Sequence, residues 1–299
     1  MSRHISYSEI SSFRQCPHQH DLAYRQRWTR SEVSPALSTG RLFHEVMAAH
    51  YRLSGGIEVE IDCLGVNDLL YAPDGTQDET QVLVEWMYDG FCELYGNDAE
   101  WEILAVEKTY EFNLPVPGGR RHSPIKLKMI VDQIRRNRVT GQLWLWDFKT
   151  GKRFPNELGL DLDDQFSLYQ WGLAQEGIDI FATMYDFART QRNKGPMSLD
   201  ERFVRIPVFR TEQQLLSTAE DAWRTAKRIS ALNHSDPERA TNSELCVRRC
   251  SYTEACLAGR KGLNEIAFLE SNGYVKRGDR HEDEIAAIAS CKTSETEDL

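Results

Sequence analysis

Leu143-Trp144-Leu145-Trp146-Asp147-Phe148-Lys149-Thr150-Gly151 is the stretch whose reading decides the fold. A period of two puts Leu143, Leu145, Asp147 and Lys149 on one face and Trp144, Trp146 and Phe148 on the other. Both faces are apolar until the end, which is the pattern of a central strand covered on both sides. An acid and a lysine two residues apart at its tip must then share one partly desolvated pocket. Just upstream, Met129-Ile130-Val131-Asp132-Gln133-Ile134 is too apolar a run for a casual surface acid. Asn137-Arg138-Val139-Thr140-Gly141, between the two runs, has hairpin-turn chemistry, so Asp132 belongs on the partner strand.

Working outward, extended segments are expected at Glu102–Phe112, Ile125–Arg136 and Gln142–Lys149, with further strands near Ile178–Ala188 and Arg202–Phe209. Ser6-Tyr7-Ser8-Glu9 reads as a capping box opening a helix that runs to Cys16-Pro17, and a second helix is expected from His18 to about Trp28. Helices are also expected over Gly40–Tyr51, from a capping box at Thr76-Gln77-Asp78-Glu79, over about Asp163–Gln175 and over Thr211–Leu232. Asn233–Leu245 is a polar connector. The expectation is an α/β fold with a central mixed sheet flanked by helices. It would form one domain over 1–277: a helical part over about 1–100, a catalytic core over about 101–210, and a helix with a cysteine cluster over about 211–262. The acidic stretch 278–299 is expected to be a flexible tail.

The 299 residues carry a formal charge of -10, which argues against a protein that coats nucleic acid unspecifically. Local grip is another matter, because ten Lys or Arg and only two acids lie between Arg120 and Arg153. No run approaches a transmembrane helix and no apolar signal region follows Met1, so a cytoplasmic protein with no membrane association is expected. Disulfides are uncommon there, and the seven cysteines need another explanation.

Phosphodiester hydrolysis requires charge neutralisation at phosphorus and an activated water. Two carboxylates holding Mg²⁺ or Mn²⁺ meet both needs, and a lysine alongside can orient the water and stabilise developing charge. Asp132, Asp147 and Lys149 have that composition. The alternative is a buried Asp147–Lys149 ion pair beside an unrelated Asp132.

An acid in an apolar strand, a hairpin and then Asp-Phe-Lys-Thr-Gly resembles the PD-(D/E)XK nuclease superfamily. Within it the chain is most similar to RecB-like exonucleases, among them the AddB subunit, the CRISPR-associated exonucleases and the exonuclease V type. The resemblance implies a restriction-endonuclease-like sheet and a DNA substrate, single strands or DNA ends. Gln165 and Tyr169 match that group's Q-x-x-x-Y motif on the following helix, where i, i+4 residues project from one face toward a phosphate or base. Packing is the other reading of Tyr169. Gly40-Arg41-Leu42-Phe43-His44 resembles the G-x-x-x-H motif, which makes His44 a metal ligand together with Asp132, Asp147 and the carbonyl of Phe148. Glu107 could face the site from a neighbouring strand or lie solvated. Val131 stands where the superfamily name has proline, and the glycine often found shortly before the aspartate is missing.

Cys246, Cys250 and Cys256 form C-x₃-C-x₅-C, three thiols in eleven residues, a spacing that suggests metal ligation. The resemblance implies that Cys16, placed before Pro17, joins them around a [4Fe–4S] cluster, in a helical region clasping the N- and C-terminal segments. The C-x₃-C spacing is one residue longer than the group's C-x₂-C. Zinc, with His18 or His20 involved, and free thiols are the competing readings. Cys63, Cys92 and Cys291 stand in no ligand-like context. Arg120, Arg121, Lys126, Lys128, Lys152 and Arg153 are candidates for backbone contacts. With no helicase motor recognisable, the chain would act alone or borrow a helicase, CRISPR or recombination partner. A non-catalytic DNA-binding or assembly subunit that keeps the scaffold is the rival reading.

Overall fold

The computed structural model describes residues 3–32, 34–55, 64–96, 98–118, 122–192, 195–232 and 237–278. Arg120, Arg121, Cys63, Cys291, the tail from 279 and residues 233–236 of the connector lie outside the described residues. In chain order the elements are β1 (Arg3–Ile5), α1 (Tyr7–Gln15), α2 (Pro17–His20), β2 (Trp28–Arg30), α3 (Pro35–Gly55), α4 (Val66–Leu70) and α5 (Glu79–Tyr95). Then come β3 (Trp101–Pro115), β4 (His122–Asn137), β5 (Leu143–Gly151), α6 (Glu157–Asp161), α7 (Asp164–Gln175), β6 (Ile180–Arg189) and β7 (Phe203–Val208). The chain continues through α8 (Glu212–Ser230), α9 (Ser243–Arg249), α10 (Thr253–Arg260), α11 (Glu265–Ser271) and β8 (Tyr274–Lys276). Among the described residues no helix is long and apolar enough to cross a membrane.

The chain forms two compact units, one of residues 1–33, 114–126 and 221–299, the other of 34–113 and 127–220. In the second unit the expected hairpin joins β4 to β5 antiparallel, with Gln133 opposite Trp146 and Arg136 opposite Leu143. Gly141 supplies the positive φ that its turn needs. β6 pairs β5 in parallel and β7 pairs β6 antiparallel, so the sheet is mixed, with β3 on β4. The parallel step from β5 to β6 needs a crossover, which α6 and α7 provide.

The two apolar faces of β5 are buried as its pattern requires. Trp146 and Phe148 pack with Phe43, Met47 and Tyr51 of α3 and with Met87 and Phe91 of α5. Beside α6 and α7, Leu160 and Phe166 pack on Tyr185, Phe187 and Val208 of the sheet. Inside the α3–α5 layer lies a charged network. Arg135 is fully buried, 3.8 Å above the Trp146 ring and 4.1 Å from that of Tyr51. It donates to Asp98 at 2.8 Å, and Arg205 donates to Asp98 at 2.6 and 2.8 Å and to Asp186 at 2.8 Å. These pairings offset much of the cost of burying the charges, although one terminal nitrogen of Arg135 is buried with no hydrogen-bond partner.

In the first unit β2 and β8 form an antiparallel ribbon over a small core of Leu22, Trp28, Tyr252, Leu269 and Tyr274. The second helix is shorter than its sequence implies. After α2 a π-helical turn covers Asp21–Arg25, Arg27 takes a left-handed φ of 66°, and Trp28 enters β2. Pairing with β8 overrides local helical preference there. The cap of α5 is Asp78 with Gln81 rather than Thr76 with Glu79, since Thr76 bonds to Asp74 instead.

Candidate active site

Asp147 stands at the middle of β5 rather than at its end, just past Trp146, the last residue registered with β4, and pairing with β6 runs on through Lys149 to Gly151. Asp132 lies inside β4 next to Gln133, the partner of Trp146, and the Phe148 amide donates to its Oδ2 at 2.8 Å, which ties the two strands together. Lys149 Nζ donates to Asp147 Oδ1 at 2.8 Å and lies 2.7 Å from Oδ2. Oδ2 is buried with no aligned hydrogen-bond donor, the Lys149 ammonium being its charged neighbour. His44, ten residues into α3, places Nδ1 3.3 Å from Asp132 Oδ2. Its ring meets the edge of Phe148, which fixes where the imidazole stands.

Glu107 of β3 joins this group. Its carboxylate, the His44 nitrogen and an Asp132 oxygen lie within 4.8 Å of one another. Glu107 has a φ of 48°, a left-handed conformation in the middle of a strand that costs a non-glycine residue energy. Plain alternation cannot forecast that kink, and nothing in the sequence of β3 separates Glu107 from Glu102 and Glu111.

The charges respond strongly to burial and to one another. Burial pushes the Asp147 carboxyl up to about 6, against the pull of Lys149 and with a further push from Asp132. Asp132 is held below the usual carboxylate range despite its burial, because His44, Lys149 and the Phe148 N–H favour the anion. Burial also drives Glu107 up to about 7, the Asp132 charge adding to it. His44 is raised even though desolvation opposes it, Asp132 being the stronger influence. Lys149 is raised as well, the two aspartates outweighing its desolvation, so it keeps its proton at neutral pH.

Tyr169 of α7 feels the charges of Asp147 and Lys149, and Gln165, one turn earlier, hydrogen-bonds it. Burial lifts the Tyr169 hydroxyl to about 12, which keeps it a donor. Lys152 and Arg153 are exposed just beyond the strand tip, where Arg189 donates to the Lys152 carbonyl at 3.0 Å.

The family model of the PD-(D/E)XK nuclease superfamily matches residues 4–257. The chain belongs to this superfamily. No curated protein matches it. Among solved structures, a candidate exonuclease from Eubacterium rectale is similar with a TM-score of 0.52 at 14% identity, over 83% of this chain and 88% of that one. The crystal structure of SSO0001 is similar with a TM-score of 0.40 at 15% identity, over 86% of this chain and 87% of that one. The first likeness is one of fold.

This PD-(D/E)XK nuclease gathers four of its seven cysteines in the first unit. Cys16, Cys246, Cys250 and Cys256 are free and line one cavity of about 270 Å³ with mostly apolar walls. Cys16 sits at the N-cap of α2, where its sulfur accepts from the Gln19 amide. Burial pushes the Cys250 thiol up, and Cys16 and Cys246 add to the effect. His20 is absorbed by packing: Nε2 lies 3.0 Å from Glu9, and the ring contacts Phe13 and Tyr24. Cys92 lies on α5 in the other unit, beside Tyr88.

Proposed function

We propose that this nuclease is a metal-dependent deoxyribonuclease of the RecB-like branch that degrades DNA from its ends. The observation carrying the proposal is the meeting of an anionic Asp132, a buried Asp147 and a charged Lys149 on adjoining strands, beside His44 and Glu107. His44, Asp132, Asp147 and the Phe148 carbonyl would hold Mg²⁺ or Mn²⁺, with Glu107 as a further oxygen donor. The carboxylate oxygens and the His44 nitrogen gathered here suit such an ion. When bound it supplies neutralisation of phosphate charge and a more acidic water.

The residues themselves divide the remaining work. Lys149 is protonated, so it donates to the attacking water and faces developing negative charge rather than removing a proton. Gln165 and Tyr169 position the strand through donors to phosphate or base. Lys152 and Arg153, with Lys126 and Lys128, contact the backbone.

The four-cysteine cavity fits a [4Fe–4S] cluster: soft thiolate donors, low polarity and a thiol made costly by its neighbours, which ligation would relieve. Cys16 comes from the N-terminal stretch of its unit and the other three from the C-terminal stretch, so the cluster would clasp those stretches. The family match runs through both units, which supports a single nuclease domain over 1–277.

The test is digestion of end-labelled linear and of circular DNA, single- and double-stranded, with Mg²⁺, with Mn²⁺ and with chelator. Linear DNA should be degraded, circles spared and chelator should abolish the reaction. Cleavage of circles would make it an endonuclease. Binding without cleavage under every metal would make it a DNA-binding or assembly subunit.

A further inference from the structure

Next to the cysteine cavity is a second set of donors. His18, on α2, is only 5% exposed, and its Nε2 lies 2.8 Å from Oε1 of Glu265, the first residue of α11. Arg239 reaches the other Glu265 oxygen at 3.4 Å and steadies the carboxylate. The His18 nitrogen, the Cys256 sulfur and a Glu265 oxygen all lie within 4.8 Å of one another. The second ring nitrogen of His18, Nδ1, is buried with no hydrogen-bond partner, an arrangement that native interiors avoid unless something else satisfies it.

One nitrogen, one sulfur and one oxygen donor exclude calcium and magnesium, which do not favour thiolate, and match the ligand range of zinc. Zinc bonds of about 2.0–2.3 Å put tetrahedral ligands roughly 3.3–3.8 Å apart. His18 Nε2 and Glu265 Oε1, 2.8 Å apart, would open slightly to admit the ion, and Cys256, within 4.8 Å of both groups, would close on it.

We propose that His18, Cys256 and Glu265 form a mononuclear zinc site that shares Cys256 with the four-cysteine set and fills when no cluster is present. The two states are exclusive because one thiolate serves both. The fourth position is left to water. The site accounts for the buried His18–Glu265 pair beside Cys256, a pair that neither the nuclease chemistry nor the cluster uses.

The experiment takes the full chain, reduced and stripped of metal by chelation, and titrates it with cobalt(II), the visible counterpart of zinc, then with zinc in competition. One cobalt ion should bind with tetrahedral ligand-field bands and a sulfur-to-cobalt band of single-thiolate intensity. His18→Ala and Glu265→Gln should each weaken cobalt and zinc binding at least about tenfold, since even lost support of a ligand has that effect. Glu265→Gln keeps the size of the side chain and carries the test if His18→Ala does not fold. Cys16→Ala and Cys246→Ala should bind cobalt as the parent does. Multi-thiolate intensity that falls in Cys16→Ala or Cys246→Ala, or parental affinity in both His18→Ala and Glu265→Gln, overturns the proposal. Iron and sulfide in anaerobically isolated protein report on the cluster separately and should be unchanged in Glu265→Gln.

Discussion

Asp147 and Lys149 show how neighbours decide the chemistry of a buried pair. Alone they would be an ion pair with a structural role. Asp132, tied in by the Phe148 amide, and His44 beside it supply the further donors that the proposed metal site needs. Asp132→Ala, Asp147→Ala and Lys149→Ala should each lower cleavage by at least about 100-fold, the scale of losing one preorganised electrostatic group. Melting temperature should hold, because the packed side chains are Trp146 and Phe148. Normal cleavage per folded molecule with a lowered melting temperature would mean a structural ion pair instead. A second residue-scale prediction concerns Gly172 on α7, where a Cβ would come within 2.6 Å of the Phe112 ring. Alanine raises helix propensity by about 1 kcal/mol, but overpacking costs about 1–3 kcal/mol. Gly172→Ala should therefore lower the denaturation midpoint, and an unchanged or higher midpoint would show that Phe112 yields freely.

At the scale of elements, α3, α5 and the sheet are joined through charge as well as apolar contact. Burial works to raise the Asp98 carboxyl, but Arg205 and Arg135 outweigh it and hold it at about 2. A folded pKa below the unfolded value of about 3.9 means stability that is fully present above pH 4 and lost as pH falls toward 2. The loss from this group should be about 2–3 kcal/mol, read as the drop in unfolding free energy between pH 5 and pH 2. Asp98→Asn should flatten that slope and cost about 3–5 kcal/mol at neutral pH, because two buried guanidiniums lose their shared partner. An equally steep slope in the variant would move the acid sensitivity to another carboxylate.

For the whole molecule, the first prediction is about metal content. Protein isolated without oxygen should be brown, with roughly four iron and four sulfide per chain. Cys250→Ala should lose iron and stability together, because the clasp within its unit is gone. Colourless protein holding only zinc would remove the cluster. DNA affinity, in turn, should fall steeply with salt despite the net charge of -10. Reversing Lys152 and Arg153 to Glu should weaken binding alike on all sequences, and affinity indifferent to both changes would put the contact surface elsewhere.

The hairpin, the central strand with its Asp-x-Lys and the clustered thiols were legible in the sequence, because alternation, turn chemistry and residue spacing act over a few residues. Gln165 and Tyr169 come instead from the resemblance to a known motif, and the structure sets them in one neighbourhood with Asp132, Asp147 and Lys149. Within the basic run between Arg120 and Arg153, Arg135 is buried on Asp98, Arg136 meets Glu102 and Lys149 meets Asp147, none of them among the six residues expected to contact the backbone. Only tertiary packing decided those partners. It also decided the kink that brings Glu107 to His44 and Asp132, the turn that ends the second helix short of Trp28, and the pairing of His18 with Glu265. Residues that distant are joined by the packing of whole elements, and local preference carries no record of it.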